Sequence, residues 1–249
     1  MKTISFNKVR IITVAKVGSA NFLKCGYSQS TNIKHTHSLY NFQNILNNES
    51  NCLIIVGIRN PIDRNLSYLF QTYKSKQNNM VRTKTFNPIQ ISWMHKTNNY
   101  IGEKCYISEM VNNKSITSEK IINLYFKQNY HNTFNEWFEE FLDITKINTF
   151  NKERGLDFYN IPNNNTIMIY TMEKLTENHQ DIIDTLGITG TLTNVNNSTR
   201  RRYCKIYNDV KEKIEYKKEY LDTLLNTDIM KLFYNENDIK YFYSKLKIN

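Results

Sequence analysis

Seven consecutive residues, Cys52-Leu53-Ile54-Ile55-Val56-Gly57-Ile58, carry no polar side chain other than a thiol. A strand without polar alternation must be covered on both faces, the condition of a central strand in a parallel sheet flanked by helices. Arg59-Asn60-Pro61 ends the run. Asn60 as cap and Pro61 at the first helical position start a helix whose Ile62, Leu66, Leu69 and Phe70 share one face. Two units of the same kind precede it. Val9 to Ala15 (VRIITVA) reads as a buried strand and Lys16-Val17-Gly18-Ser19 as a tight loop. A helix capped by Ser19 follows, with Ala20, Phe22 and Leu23 facing inward. A weaker strand at Asn32 to Thr36 leads to a short helix from Leu39 to Leu46. Three β-loop-α units in the first 75 residues predict an α/β, doubly wound parallel sheet.

Residues 76 to 115 are polar and irregular and are expected to form loops over an acceptor cleft. Two helices follow, Ile116 to Tyr130 and Thr133 to Ile144, the second with Phe134, Trp137, Phe138 and Phe141 on one side. Thr166 to Met172 reads as a buried strand and Glu173 to Leu186 as a helix ended by Gly187. Arg200 to Ile214 and the segments up to Leu246 read as helical. With 249 residues, no internal repeat and no Gly/Pro-rich linker, one domain spanning residues 1–249 is expected.

Hydrophobic residues make up 40% of the chain, with 17 Tyr and 13 Phe, enough for a sizeable core. The formal net charge of +10 favours polyanionic partners without choosing among them. Four scattered cysteines without a CxxC pair indicate neither a zinc site nor a disulfide framework, so no metal is expected. The N-terminus lacks a signal-peptide apolar core, and no stretch has the roughly 20 apolar residues of a membrane span. A cytoplasmic chain is the expectation.

The turn after the first strand has the makings of an anion cradle. Gly18 allows close backbone approach, amides from Val17 to Asn21 can donate, and Lys16 adds a charge. An ordinary βα turn with an exposed lysine is the competing reading. The lysine precedes the glycine and GxxxxGK[ST] is absent, which removes the main support for an ATPase or GTPase. At the second turn, Arg59 leaves the carboxyl edge of the sheet and Ser67 lies two helical turns on. Both could converge on one phosphate, by a guanidinium fork and a hydroxyl. Arg64 fits a solvated helix face as well as a ligand role.

Together the two segments resemble the PAPS-dependent sulfotransferase superfamily (PAPS is 3′-phosphoadenosine 5′-phosphosulfate). In that superfamily a 5′-phosphosulfate loop follows the first strand, and the 3′-phosphate motif has the form R-[DN]-P-x-x-R-x-x-S. The chain looks most like capsular polysaccharide synthesis proteins of the sulfotransferase type, and more distantly like heparan sulfate 2-O-sulfotransferases. The wider match includes His35-Thr36-His37, the Trp137-Phe138 helix, Ile167 to Leu175 and the basic stretch Asn196 to Tyr207. The resemblance implies a P-loop-like sulfotransferase domain, transfer of a sulfuryl group from PAPS to a carbohydrate or polysaccharide hydroxyl, and no metal. It assigns Lys16 to the bridging and sulfuryl oxygens, Val17, Gly18, Ser19, Ala20 and Asn21 to the 5′-phosphate, and Arg59 and Ser67 to the 3′-phosphate. Ala20 departs from the family, many of whose members carry a hydroxyl there.

A hydroxyl attacking sulfur must lose its proton, and a neutral imidazole suits that task near pH 7. The resemblance points to His37 as base with His35 in support. His35 itself or an acid such as Glu173 remains an alternative, as does the reading of both histidines as polar edge residues. One or more of Arg200, Arg201, Arg202 and Lys205 would clamp the 3′-phosphate or close over the donor; consecutive residues cannot all face one ligand. Trp93, Tyr100 and Trp137 offer faces for sugar rings, although Trp137 suits the core better. Two other classes stay open: an inactive glycan-binding module of this type, and a nucleic-acid-binding protein. The latter has charge in its favour but no helix-turn-helix, zinc-finger or RRM signature.

Overall fold

A computed structural model of the chain describes residues 4–15, 17–23, 25–79, 116–127, 131–189 and 203–249; residues 71–79 contribute their helical backbone alone. The first half follows the βα pattern: β1 (Lys8–Ile12), α1 (Ser19–Leu23), β2 (Ile33–Thr36), α2 (Leu39–Asn48), β3 (Cys52–Ile58) and α3 (Pro61–Asn79). Then come α4 (Ser118–Phe126), α5 (Thr133–Thr145), β4 (Leu156–Ile161), β5 (Asn165–Thr171) and α6 (His179–Leu186). The chain ends with α7 (Cys204–Lys213), β6 (Glu215–Tyr216), α8 (Lys218–Leu225), α9 (Asp228–Phe233), α10 (Glu236–Ser244) and β7 (Lys247–Ile248), with β6 and β7 paired in a small parallel ribbon.

The five-stranded sheet has the order β2-β1-β3-β5-β4; its first four strands are parallel and β4 runs antiparallel to β5. Helices cover both faces, as the Cys52–Ile58 run requires. Leu53 and Ile55 of β3 join Val9, Ile11, Met168 and Tyr170 under α1 and α6. Ile54, Val56 and Ile58 point the other way, into a larger cluster with α2, α3, α5 and the C-terminal helices. Ile62, Leu66, Leu69 and Phe70 are all buried there, and Asn60 caps α3 as expected, its Oδ1 accepting from the Ile62 N–H at 2.9 Å. Among the described residues no helix is long and apolar enough to cross a membrane.

Several local expectations are corrected. β1 stops at Ile12, and α1 turns Ser19, Asn21 and Phe22 inward while Leu23 is exposed. Ser19 is already helical rather than its cap; Gly18, at φ +80°, accepts the Asn21 N–H through its carbonyl. The helix expected from Glu173 begins only at His179, after one 3₁₀ turn over Met172–Lys174. Asn178 delays it by donating from Nδ2 to the carbonyls of Lys174 and Arg154, an alternative to helical pairing. The expected stop at Gly187 holds, with φ +59° in the left-handed region.

β4 was not anticipated. Its signal is the turn Pro162-Asn163-Asn164-Asn165, in which Asn163 and Asn164 both take positive φ and the Asn165 N–H donates to the Pro162 carbonyl. Positive φ at both central residues is the requirement of a type I′ hairpin, which asparagine tolerates better than most residues.

Arg10, inside the apolar β1 run, is 2% exposed. Its Nε and Nη2 fork onto the two carboxylate oxygens of Glu49, and Nη1 donates to the Val9 and Asn32 carbonyls. This hydrogen bond and charge hold the Glu49 carboxyl below its usual range, so the pair's contribution is lost only as pH falls through that lowered value.

Candidate functional site

The strand order places the site. From β1 the chain moves outward to β2, then crosses back to β3 on the other side of β1. The turns leaving β1 and β3 therefore diverge in opposite directions, and open α/β sheets bind ligands in the crevice at such a fork, beyond the carboxyl ends of the strands. The two motifs singled out in the sequence, residues 16–21 and 59–67, are the segments leaving those two strands.

Long-range contacts fix both turns. The Tyr170 hydroxyl, on β5, donates to the Val17 carbonyl at 2.7 Å, passing over Gly57 of β3. Arg64 is neither solvated nor open as a ligand: it is 3% exposed, and its Nε donates to the Ala15 carbonyl at 3.2 Å. Its Nη1 reaches Asn65 Oδ1 at 2.7 Å, and its guanidinium lies over the Tyr68 ring. The second arginine of the R-N-P-x-x-R segment thus ties α3 to the loop of β1.

At the third strand end, Glu173 Oε1 accepts from the Asn60 N–H and Oε2 from the Tyr234 hydroxyl, both at 2.8 Å. The residue is exposed overall, yet protein crowds its carboxylate; burial raises its pKa against the lowering by the Asn60 and Tyr234 bonds and the Arg59 charge. Glu173 is therefore committed to holding the junction next to Arg59, a structural assignment that weakens it as a base. Arg59 is half-buried at that junction, and Ser67 is buried on α3.

On the β1 side, Val17, Ser19 and Asn21 are buried, while Gly18 and Ala20 are partly exposed. Among the described residues, no protein acceptor is found for the N–H groups of Val17, Gly18, Ser19 or Ala20. Gly18 also has to be glycine: besides its positive φ, a Cβ would lie 2.2 Å from Met172 Sδ.

His37 follows β2 at the same edge and is exposed. Its Nδ1 meets the Thr13 carbonyl, and since a carbonyl only accepts, that nitrogen carries the proton and Nε2 carries the lone pair of the neutral ring. Trp137 Nε1 donates to the His37 carbonyl at 3.1 Å. Trp137 is 4% exposed and stacked on Phe141, so it braces the histidine from the core and offers no sugar platform. His35 meets Thr13 Oγ1 at 3.3 Å, with its ring centroid 4.5 Å from that of His37.

Comparison with protein-family models, with curated proteins and with solved structures finds no match. The site must be argued from its own geometry. Lys16, Arg200, Arg201, Arg202, Trp93 and Tyr100 lie outside the described residues, and Lys205 is an exposed residue of α7. What the sequence did not single out is the set of anchors Tyr170, Gly57 and Tyr234, or the anchoring role of Arg64. Gly57 was the one visible signal, a glycine one residue from the end of an otherwise large-residue strand.

Two histidines near the site are held neutral. Burial first, and the neighbouring His37 second, lower the His35 pKa from 6.5 to about 4; burial first and the Arg64 charge second lower His131 to about 4. His131 is fixed by the Tyr220 hydroxyl at 2.7 Å. An imidazole whose folded pKa lies below its unfolded value takes up protons mainly on unfolding in the interval between. Stability is therefore expected to fall as pH drops from about 6.5 to about 4, before the Glu49 pair is lost. Thermal unfolding across that interval checks this; an unchanged melting temperature would contradict it.

Proposed function

We propose that the chain is a PAPS-dependent sulfotransferase acting on a hydroxyl, with a carbohydrate or polysaccharide as acceptor. The observation that carries the reading is the arrangement at the β1/β3 fork. A loop whose Gly18 and Ala20 are partly exposed leaves one strand, Arg59 and Ser67 follow the other, and the exposed His37 imidazole follows β2 at the same edge of the sheet. Two such turns at one sheet edge support a ligand with an anionic group at each end, as an adenosine bearing 5′- and 3′-phosphates has.

In this reading the amides of Val17, Gly18, Ser19, Ala20 and Asn21 receive the 5′-phosphate and Lys16 the charge of its sulfuryl oxygens. Arg59 and Ser67 hold the 3′-phosphate, with Arg200, Arg201 or Arg202 closing over the donor. The donor supplies an activated sulfuryl group. His37 Nε2 accepts the acceptor's proton as the new O–S bond forms, and the bond from sulfur to the 5′-phosphate oxygen breaks. Catalysis is then positioning and charge stabilisation, with charge growing on the leaving phosphate beside Lys16.

Calorimetric titration with 3′-phosphoadenosine 5′-phosphate (PAP) tests the reading. The parent is expected to bind, and Arg59→Ala, verified as folded by circular dichroism, to bind about 10- to 100-fold more weakly through loss of charge-assisted hydrogen bonds. Absence of binding in the parent would overturn it, and salt-dependent retention on DNA in its place would favour a nucleic-acid-binding protein. Binding without transfer of radiolabelled sulfate to any carbohydrate acceptor would favour the inactive glycan-binding module.

A further inference from the structure

We propose that Tyr170 is a positioning residue that sets the direction of the Gly18 peptide, and with it the anion-receiving face of the loop after β1. In a trans peptide the carbonyl of one residue and the N–H of the next point to opposite sides of the same plane. The chain has no cis peptide among its described residues, so fixing the Val17 carbonyl fixes the Gly18 N–H in the opposite sense. Tyr170 does the fixing: its hydroxyl donates to the Val17 carbonyl at 2.7 Å from a fully buried ring packed on Phe22 of α1.

The neighbouring strand is cut away to let this happen. A Cβ on Gly57 would lie 2.5 Å from the Tyr170 hydroxyl oxygen, 2.6 Å from the ring carbon that bears it and 2.8 Å from the Val17 carbonyl oxygen. Gly57 has no positive φ to explain it, so the space it leaves is what the position requires. The hydroxyl, the glycine and the loop carbonyl form one contact across β5, β3 and the β1 turn. Gly18, with φ +80° and no side chain, is the residue of this loop best able to tolerate a reversed peptide. Without the tyrosine hydroxyl, the peptide could turn its carbonyl outward and present a negative dipole where an anion is to bind.

The consequence for the loop stands by itself; the consequence for the nucleotide rests on the sulfotransferase reading. The test is Tyr170→Phe, which keeps the ring and removes the hydroxyl alone. Hydrogen exchange of the peptide covering residues 17–21 is expected to accelerate about fivefold, the size of one lost buried hydrogen bond. The dissociation constant for PAP should rise by a similar factor while exchange of peptides from α4 and α8 stays at the parent rate, a local split that general destabilisation would not produce. Gly57→Ala displaces the hydroxyl without deleting it and should give the same two changes, which covers a poorly folding phenylalanine variant. Unchanged exchange together with unchanged PAP affinity in both variants would overturn the proposal. A parent that does not bind PAP at all sinks the sulfotransferase reading, while the exchange result still decides whether Tyr170 sets the loop.

Discussion

His37→Gln is expected to lower sulfuryl transfer by about 10²- to 10⁴-fold, the range contributed by a positioned general base. Affinity for PAP should stay at the parent value. Thr13 holds Nδ1 and Trp137 holds the main-chain carbonyl, so the ring is fixed and its Nε2 lone pair directed before any acceptor arrives. Glutamine keeps a polar group of similar reach but cannot take a proton near neutral pH. Radiolabelled sulfate transfer at saturating donor measures the loss. Retention of activity within about threefold would remove His37 from the chemistry and return attention to His35, whose lowered pKa of about 4 makes it a poorer base.

The largest effect on stability is expected from Arg10→Met, a loss of about 3–5 kcal/mol by chemical denaturation. The substitution removes the charge from a buried fork and leaves Glu49, 21% exposed, with the longer Lys8 contact at 3.7 Å in place of the two-pronged arginine pair. It also strips the Val9 and Asn32 carbonyls of the Nη1 donor. The double variant Arg10→Met, Glu49→Leu should recover a good part of the loss, since what costs most is the under-compensated carboxylate. A single variant within about 1 kcal/mol of the parent would mean that water already solvates the pair.

The βα framework was legible because it rests on local rules. An apolar run with no alternation, an Asn-Pro start and an inward stripe at Ile62, Leu66, Leu69 and Phe70 each act within a few residues, and the fold agrees with them. Failures occurred where a distant partner decides. Arg10 lies inside the run read as a buried strand with no partner in view, and Arg64 fitted a solvated face as well as a ligand role; a carboxylate and carbonyls far along the chain engage them. The helix expected from Glu173 starts six residues late because that carboxylate is engaged by Asn60 and Tyr234, and because Asn178 bonds the Lys174 carbonyl. β4 was missed although Asn163-Asn164 carries the turn signal, since Leu156–Ile161 has a mixed pattern of partial burial that apolar periodicity does not flag.

The same distribution applies to the site. Motif residues such as Gly18, Arg59 and Ser67 could be named from type and spacing, because their chemistry is local. The groups that aim them could not. Tyr170 reaches a carbonyl 153 positions away and Tyr234 a carboxylate 61 positions away, and neither spacing leaves a mark in the sequence.

The Tyr234 hydroxyl bond to Glu173 has a consequence for the order in which the molecule is built. The turns after β1 and β3 leave the ribosome within the first 70 residues, but the clamp on the second needs Tyr234, made 61 residues after the carboxylate it holds. A growing polypeptide can collapse its early strands and still lack this clamp until α9 and Tyr234 behind it have emerged and docked. The turn after β3 is therefore clamped long after the strand that leads into it has been made.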